Sequence, residues 1–314
     1  MKLQQLRYLS EVARQDLSVS AAADALHTSQ PGVSRQIKEL EDELGIEIFV
    51  RRGKRFTAVT EPGRAVIAIA ERILAEGANL KRAGAEYANE KVGTLTIATT
   101  HTQARYALPK AVAALKRRYP DVQLVIHQGN PTQICEMVLR GEADFAIATE
   151  QIAHFPELVS MPCYQWNRVV VVPSRHPLAR VKPLTLEAVA KYPVVTYDFA
   201  FANRSLVQKA FDARGLTPKV VLTALDSDVI KTYVELGLGV GIMAKMAFDS
   251  KRDRGLKALD AAHLFESSTT RLGIKRGAYL RRYAYEFIEL FAPHLPRTIV
   301  EPAVRGAEGS RSEL

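Results

Sequence analysis

The sequence predicts an α/β protein with a helical, wing-bearing head, a long connecting helix and a two-lobed α/β body. Three observations carry this. Across Ser18–Arg52 an Ala-rich helical pattern and a capped amphipathic one follow each other over a short turn. Helical apolar spacing then runs from Glu61 to about Ala88. Beyond Lys91, apolar runs of strand length alternate with helical segments, the pattern of βαβ units.

A chain of 314 residues suggests two or three domains. Its 47% hydrophobic and 25% charged content is that of a globular protein, and no apolar run reaches membrane-spanning length. Met-Lys-Leu-Gln-Gln-Leu-Arg at the N-terminus has no apolar signal core, so a cytoplasmic location without a membrane partner is expected. Cys135 and Cys163 have no metal spacing and are expected to be small buried side chains.

In the head, Leu3, Leu6, Tyr8, Leu9, Val12 and Ala13 make a first amphipathic helix that closes a core against Ala22, Leu26, Val33 and Ile37. Ser20–Leu26 is a short helix whose small side chains allow close packing. His27 and Thr28 turn the chain. Ser29 is a natural N-cap for the next helix, and Pro31 sits in its first turn, where a missing N–H costs nothing. In that helix Val33, Ile37, Leu40 and Leu44 form one apolar face. Gln30, Pro31, Ser34, Arg35 and Lys38 cluster roughly 130° away. One buried face and one polar face is what a helix reading a major groove needs, so this is a helix-turn-helix. The acids Glu39, Glu41, Asp42 and Glu43 fall late in it, where it should leave the groove.

Net charge does not single out this region. The chain carries +9, yet residues 1–90 hold 13 Lys plus Arg against 13 Asp plus Glu. Local patterning does: Arg51, Arg52, Lys54 and Arg55 surround Gly53 between the apolar runs Ile46–Val50 and Phe56–Thr60. That reads as a hairpin wing with a cationic tip suited to phosphates. The expected DNA contacts are therefore Ser29, Gln30, Pro31, Ser34, Arg35, Lys38, Arg51, Arg52, Lys54 and Arg55.

Glu61-Pro62-Gly63 opens the long helix, whose apolar positions include Val66, Ile67, Ala70, Ile73, Leu74, Leu80 and Tyr87. It is longer than a small domain needs, so it is expected to pair with a copy of itself. The body follows with a strand at Val92–Ala98, a helix at Ala104–Tyr119 despite Pro109, and a strand at Val122–Ile126. A helix at Pro131–Arg140 stopped by Gly141 and a strand at Ala143–Ala148 complete the first set. A second set has strands at Arg168–Val172, Val194–Tyr197, Lys219–Leu222 and Gly239–Ala244, with helices at Arg204–Ala213 and Val229–Leu236. Thr270–Lys275 and a helix from Tyr279 to Phe291 return to the first set. The tail, rich in Gly, Ser and charge, is expected to be disordered.

The order of a helix, an Ala-rich helix, Thr28-Ser-Gln-Pro-Gly-Val-Ser-Arg-Gln-Ile37, a wing and a long linker resembles the LysR-type transcriptional regulators. Thr99–Pro109, Gly141–Thr149, Asp226–Tyr233 and Phe291–Leu295 are similar to the CysB/Cbl-like branch, which regulates sulfur and cysteine metabolism. The resemblance covers nearly the whole chain. It implies a winged helix-turn-helix over residues 1–60, a linker and dimerisation helix over 61–90, and a periplasmic-binding-protein-like effector domain over 91–300. Lobe I would be about 91–162 and 268–295, lobe II about 163–267, and the tail 301–314. The implied partners are double-stranded promoter DNA, RNA polymerase, a second copy in a homodimer or homotetramer, and a small sulfur-related effector. CysB resemblance implies an acetylserine, with sulfate or thiosulfate as antagonists. Cbl resemblance implies adenosine phosphosulfate or another sulfur metabolite.

Chemistry places the effector. Ligands of open α/β sheets bind at strand carboxyl ends near helix N-termini, where backbone N–H groups favour an anion. Thr99–Gln103 lies at such a junction, so Thr100, Thr102 and Gln103 offer neutral donors. The resemblance adds Thr149, Trp166 and position 202, where the branch usually carries Thr and this chain has Ala202. A lost hydroxyl there costs about 1–3 kcal/mol unless another donor replaces it. No cofactor, metal or catalytic group is expected: His101 has no nucleophile and placed acid beside it, and His127, His154 and His176 lack metal spacing. Gly237-Leu-Gly-Val-Gly241 precedes a strand and is read as close packing, and Asp226 and Asp228 as an N-cap and a first-turn acid. The contrasting reading is a metabolite-binding module whose N-terminal helices serve protein association.

Overall fold

The chain divides between Tyr87 and Ala88 into two units in a computed structural model that describes residues 1–53, 55–197 and 206–306. The first holds α1 (Leu3–Arg14), α2 (Val19–Ala25) and α3 (Gln30–Leu44). Ser18 Oγ accepts the Ala21 N–H at 3.2 Å to start α2, and Ser29 Oγ accepts the Gly32 N–H at 3.3 Å to start α3. Leu6, Leu9, Val12, Ala22, Val33, Ile37 and Leu40 fuse into one core. Three expected core residues do not join it: Leu3 is 51% and Leu44 41% exposed, and Ala13 is half-buried outside it. Leu3 is the first residue of α1 and projects past the packed face. Leu44 is the last of α3, where Gly45 turns left-handed at φ 69°. The inner position one turn earlier belongs to Glu41, which is buried.

The hairpin forms as expected, β1 (Phe49–Arg52) antiparallel to β2 (Arg55–Val59), with Phe49 and Phe56 stacked at 4.6 Å between ring centres. α4 (Glu61–Ala88) follows, and the Thr60 Oγ1 accepts its Gly63 N–H at 2.9 Å. Its first half packs Val66, Ile67, Ala70, Ile73 and Leu74 onto the head core. Its second half leaves Leu80 76% and Tyr87 89% exposed.

The second unit contains two five-stranded sheets. Lobe I holds β3 (Gly93–Thr99), β4 (Val122–Gln128), β5 (Phe145–Ala148) and β6 (Leu158–Trp166). Its helices are α5 (Leu108–Arg118) and α6 (Pro131–Arg140). Lobe II follows with β7 (Arg168–Pro173), α7 (Leu186–Ala190), β8 (Val194–Tyr197), α8 (Leu206–Asp212), β9 (Val220–Ala224), α9 (Ser227–Glu235), β10 (Val240–Ala244) and β11 (Leu256–Asp260). β12 (Ser268–Lys275), α10 (Arg282–Phe291) and α11 (Arg297–Arg305) return to lobe I. The strand orders are β4-β3-β5-β12-β6 and β11-β7-β10-β8-β9. In each sheet three strands are parallel, through β3 or β8, and the other two join antiparallel.

Helices cover both faces. α5 and α10 bury one side of the first sheet, with Phe145 against Phe287 at 5.8 Å, and α6 buries the other. In lobe II one core lies under α7 and α8 and another under α9. The glycines before and within β10 do pack closely: a Cβ on Gly239 would collide with the Pro193 carbonyl, and one on Gly241 would lie 2.9 Å from a Val234 methyl.

Two domain boundaries differ from expectation. β6 runs to Trp166 in lobe I, so the crossover is Asn167 and not residue 163, and Cys163 belongs to lobe I. β6 and β11 carry no pure apolar run and join by long-range antiparallel pairing, which local pattern does not reveal. α11 continues to Arg305, because Val300 and Val304 bury against lobe I, so residues 301–305 are helix where a tail was expected. Residues 307–314 lie outside the described ones. Pro109 fits because the helical backbone entered at residue 101 widens into a π-turn at Gln103–Ala107, and α5 restarts with Pro109 in its first turn. At Lys182–Pro183 the peptide bond is cis. Among the described residues no helix is long and apolar enough to cross a membrane.

Candidate nucleic-acid interface and effector site

In the head, Gln30, Pro31, Arg35 and Lys38 are exposed along one side of α3, Ser34 is half-buried among them, and Ser29 caps the end. Both cations carry an acid one turn on: Arg35 Nε lies 2.8 Å from Glu39, and Lys38 Nζ 2.8 Å from Asp42. The Asp42 hydrogen bond and charge hold the Lys38 ammonium above its ordinary pKa. Glu39 and Asp42 thus flank the polar face instead of merely ending the helix.

Glu41 does something else. Its Oε1 accepts the backbone N–H groups of Ile48 at 2.9 Å and Phe49 at 3.2 Å, and its Oε2 takes Arg51 Nη2 at 2.5 Å. The Arg51 guanidinium also lies 4.8 Å over the Phe56 ring. One buried carboxylate therefore ties the end of α3 to the start of the wing, and it places Arg51 beside the helix. Arg52 and Arg55 face each other across the hairpin and are exposed, and Gly53 turns at φ 63°. Lys54 lies outside the described residues. The sequence carried a signal for Glu41: it stands four residues after Ile37, on the apolar face, where a carboxylate must find buried donors.

In the body, β3 and β5 are parallel neighbours, with Thr99 opposite Ile147, so Thr100 and Thr149 leave adjacent strands at their carboxyl ends. Both are half-buried. Thr99 itself is committed to the sheet, its hydroxyl donating to the Ile147 carbonyl at 2.8 Å. Gln103 is buried and held at both ends of its amide. Its Nε2 donates to Thr270 Oγ1 at 3.1 Å, and its Oε1 accepts the Tyr164 hydroxyl. One hydrogen of the amide takes no part in these two bonds. Burial pushes the Tyr164 phenol up, which keeps it a donor.

Trp166 ends β6 opposite Ser268, with the Arg168 guanidinium 5.0 Å from its ring centre. Its buried Nε1–H has no acceptor among the described residues, which fits an anionic or carbonyl oxygen as its partner. Thr102 Oγ1 lies 3.4 Å from Ser227 Oγ of lobe II. Ser227 in turn lies 2.6 Å from the Tyr197 hydroxyl, which accepts the Ala244 N–H at 3.1 Å. Ala202, with its neighbours Asn203 and Ser205, lies outside the described residues.

Thr100, Gln103, Thr149 and Trp166 thus sit at one end of the lobe I sheet, and Thr102 faces lobe II. Tyr164, Thr270, Ser227 and Tyr197 escaped the sequence reading. They meet these residues, or one another, through contacts between segments far apart in the chain. His101, Asp226 and Asp228 bring possible metal-ligand atoms within 4.8 Å of one another. Their contacts are protein contacts: Asp226 caps α9 through the Val229 N–H at 2.8 Å, and His101 lies between Gln128 and Asp228.

Comparison with known proteins bears on the family and the fold. Residues 3–64 match the bacterial regulatory helix-turn-helix proteins of the lysR family, and residues 88–296 match the LysR substrate binding domain. The chain is 56% identical to the HTH-type transcriptional regulator CysB of Burkholderia cenocepacia, over 98% of each protein. It is 53% identical to SsuR, an HTH-type transcriptional regulator of the same organism, over 98% of this chain and 100% of that one. The crystal structure of the cofactor-binding domain of the Cbl transcriptional regulator matches with a TM-score of 0.67 and 43% identity, over 70% of this chain and 96% of that one.

Proposed function

The chain belongs to the LysR family of DNA-binding transcriptional regulators, and from that premise we propose that it controls cysteine-biosynthesis and sulfur-assimilation promoters in response to a small sulfur-pathway effector. The observation that carries the DNA half is the exposed side of α3, with Gln30, Pro31, Arg35 and Lys38 beside a cationic hairpin. Amide and guanidinium groups there suit base edges, and Arg52 and Arg55 suit phosphates. Paired copies would present two such helices. The exposed Leu80 and Tyr87 on α4 continue a seven-residue repeat from Val66 and Ile73, which supports self-association through that helix.

The effector half rests on the uncharged donors Thr100, Thr102, Thr149, Gln103 and the buried Trp166 N–H, which suit an acetylserine carboxylate or a sulfate oxygen. Binding would shift the two lobes, alter the spacing of the DNA-binding heads and so change contact with RNA polymerase. Only different affinity for the two arrangements can drive such a switch. A second reading, adenosine phosphosulfate as effector of a Cbl-like regulator of sulfate-starvation genes, is favoured by the likeness to the Cbl domain.

Binding of the full-length protein to cysteine-biosynthesis promoter fragments and to random duplex tests this. The runs use acetylserines, sulfate, thiosulfate and adenosine phosphosulfate at several salt concentrations. Specific binding should weaken steeply as salt rises. Equal affinity for promoter and random DNA under every condition would leave a metabolite-binding module as the reading.

A further inference from the structure

The segment that carries the expected effector donors also carries a second set of side chains. Gln103 is held within lobe I and Thr102 meets Ser227, while His101, Arg105 and Tyr106 reach further into lobe II. All three meet one carboxylate. Asp228 Oδ1 accepts the Tyr106 hydroxyl at 2.7 Å, and its Oδ2 lies 2.9 Å from Arg105 Nε and 3.1 Å from His101 Nε2. From its own lobe Lys231 Nζ lies 3.2 Å from Oδ1 and 3.1 Å from the Tyr106 hydroxyl. Lys231 is itself fixed by Asp253 at 3.1 Å and the Ala247 carbonyl at 3.0 Å.

A separate observation concerns packing. The Tyr106 ring belongs to lobe I by sequence, yet it packs against the lobe II core beneath α9, with Val169, Val171, Ile230, Val234, Met243 and Ala247. Lys231 Nζ stands 5.5 Å from its ring centre. The π-turn at Gln103–Ala107 adds a residue to the helical turn, and insertions of this kind redirect side chains at functional sites. Here Gln103 stays in lobe I while Tyr106, three residues on, crosses to lobe II.

We propose that Tyr106 and Asp228 form an interlobe latch that holds the Thr100–Gln103 segment in the arrangement competent to bind a small oxyanion. The proposal rests on the effector reading above. Two consequences of the geometry support it. Closing the latch positions Thr102 opposite Ser227. It also surrounds the Asp228 charge with Arg105 and Lys231, so that an incoming anion does not meet a bare carboxylate. Apparent affinity then falls by the fraction of molecules in which the latch is open. Tyr106 and Asp228 are positioning residues, since neither is placed on the ligand.

The test uses full-length wild type, Tyr106→Phe, Asp228→Asn, the double variant and Asp228→Glu, with inorganic sulfate and O-acetylserine as calorimetric probes. Hydrogen exchange is followed without ligand. Amides of residues 101–107 are expected to exchange faster in Tyr106→Phe and Asp228→Asn, and the affinity of whichever probe binds to fall about tenfold. The double variant should be no weaker than Asp228→Asn, and Asp228→Glu should recover part of the loss. Unchanged exchange at 101–107, unchanged affinity, or losses that multiply in the double variant each overturn the latch. Wild-type protein that binds neither probe sinks the effector reading, and the latch with it.

Discussion

Replacing Glu41 by Gln tests the tie between recognition helix and wing. The substitution keeps the shape and removes the charge. In the folded head the carboxylate is 3% exposed as a residue and serves three donors: the Ile48 and Phe49 amides and the Arg51 guanidinium. Gln can still accept from the two amides with its carbonyl, but through neutral bonds roughly half as strong. Its NH2 group then faces the guanidinium, donor against donor. Breaking a fully buried ion pair costs about 3–5 kcal/mol. Arg51 keeps 35% of its side chain in solvent and can swing out, so about 2–3 kcal/mol is expected. Glu39→Gln is the control, because its pair with an 80% exposed Arg35 should be worth under about 0.5 kcal/mol. Urea unfolding of the full-length protein, with hydrogen exchange read at the Ile48 and Phe49 amides, separates the two. If Glu41→Gln costs no more than Glu39→Gln and both amides keep their protection, the carboxylate does not hold the wing. A wing released from α3 should also lose promoter affinity more than Arg51→Ala alone, since Arg51 is only one of the groups placed by it.

Other expectations follow from the same structure. Arg35→Ala should weaken promoter binding about 5- to 150-fold with an unchanged melting temperature, since the side chain is exposed and a good base contact is worth about 1–3 kcal/mol; mobility shift and calorimetric melting check the two halves. Ile37→Asp, at a site with no exposure, should unfold the head and lose DNA binding together, visible in circular dichroism. Gly241→Ala should destabilise the body by about 1–3 kcal/mol, because the new methyl would meet Val234 and Ile230 side chains in a packed core, and urea unfolding reads this directly. Burial pushes the Cys135 and Cys163 thiols up to about 12. Each stays protonated in the folded chain while the unfolded thiol ionises near its ordinary value of roughly 8.5. Their contribution to stability is therefore full at neutral pH and is lost as pH rises from there towards about 12. Ellman's reagent at pH 8 should label neither thiol until the protein is unfolded.

What the sequence made legible was local. Caps, turns and one-faced helices depend on neighbours within a few residues, so α3, α6 and β8 fall where their residues say. The strand ends that carry Thr100 and Thr149 follow from the same alternation. What it concealed was set by distant pairing. Gln103 finds its partners 61 and 167 residues away, and no spacing announces Tyr164 or Thr270. β6 and β11 join their sheets antiparallel, at positions that a reading in βαβ units leaves empty. Asp228 was read as a first-turn acid of α9, which it is; that three lobe I side chains converge on it needs both lobes in place. Leu44 and Glu41 show the limit of periodicity at a helix end: the apolar residue faces out and the acid faces in, because the adjacent wing offers two amides that must be satisfied.

The two crossovers between the lobes leave neighbouring strands of one ladder, where Trp166 stands opposite Ser268. Arg168, one residue past the first crossover, stitches them together: Nη2 reaches Ser268 Oγ at 2.8 Å and Nη1 the Glu266 carbonyl at 3.0 Å. A single tether would let lobe II swing and twist freely. Two tethers, side by side and cross-linked, leave chiefly one rotation, about the line that joins them. Any movement of the lobes would then be confined by the covalent path to that one axis, whatever ligand provoked it.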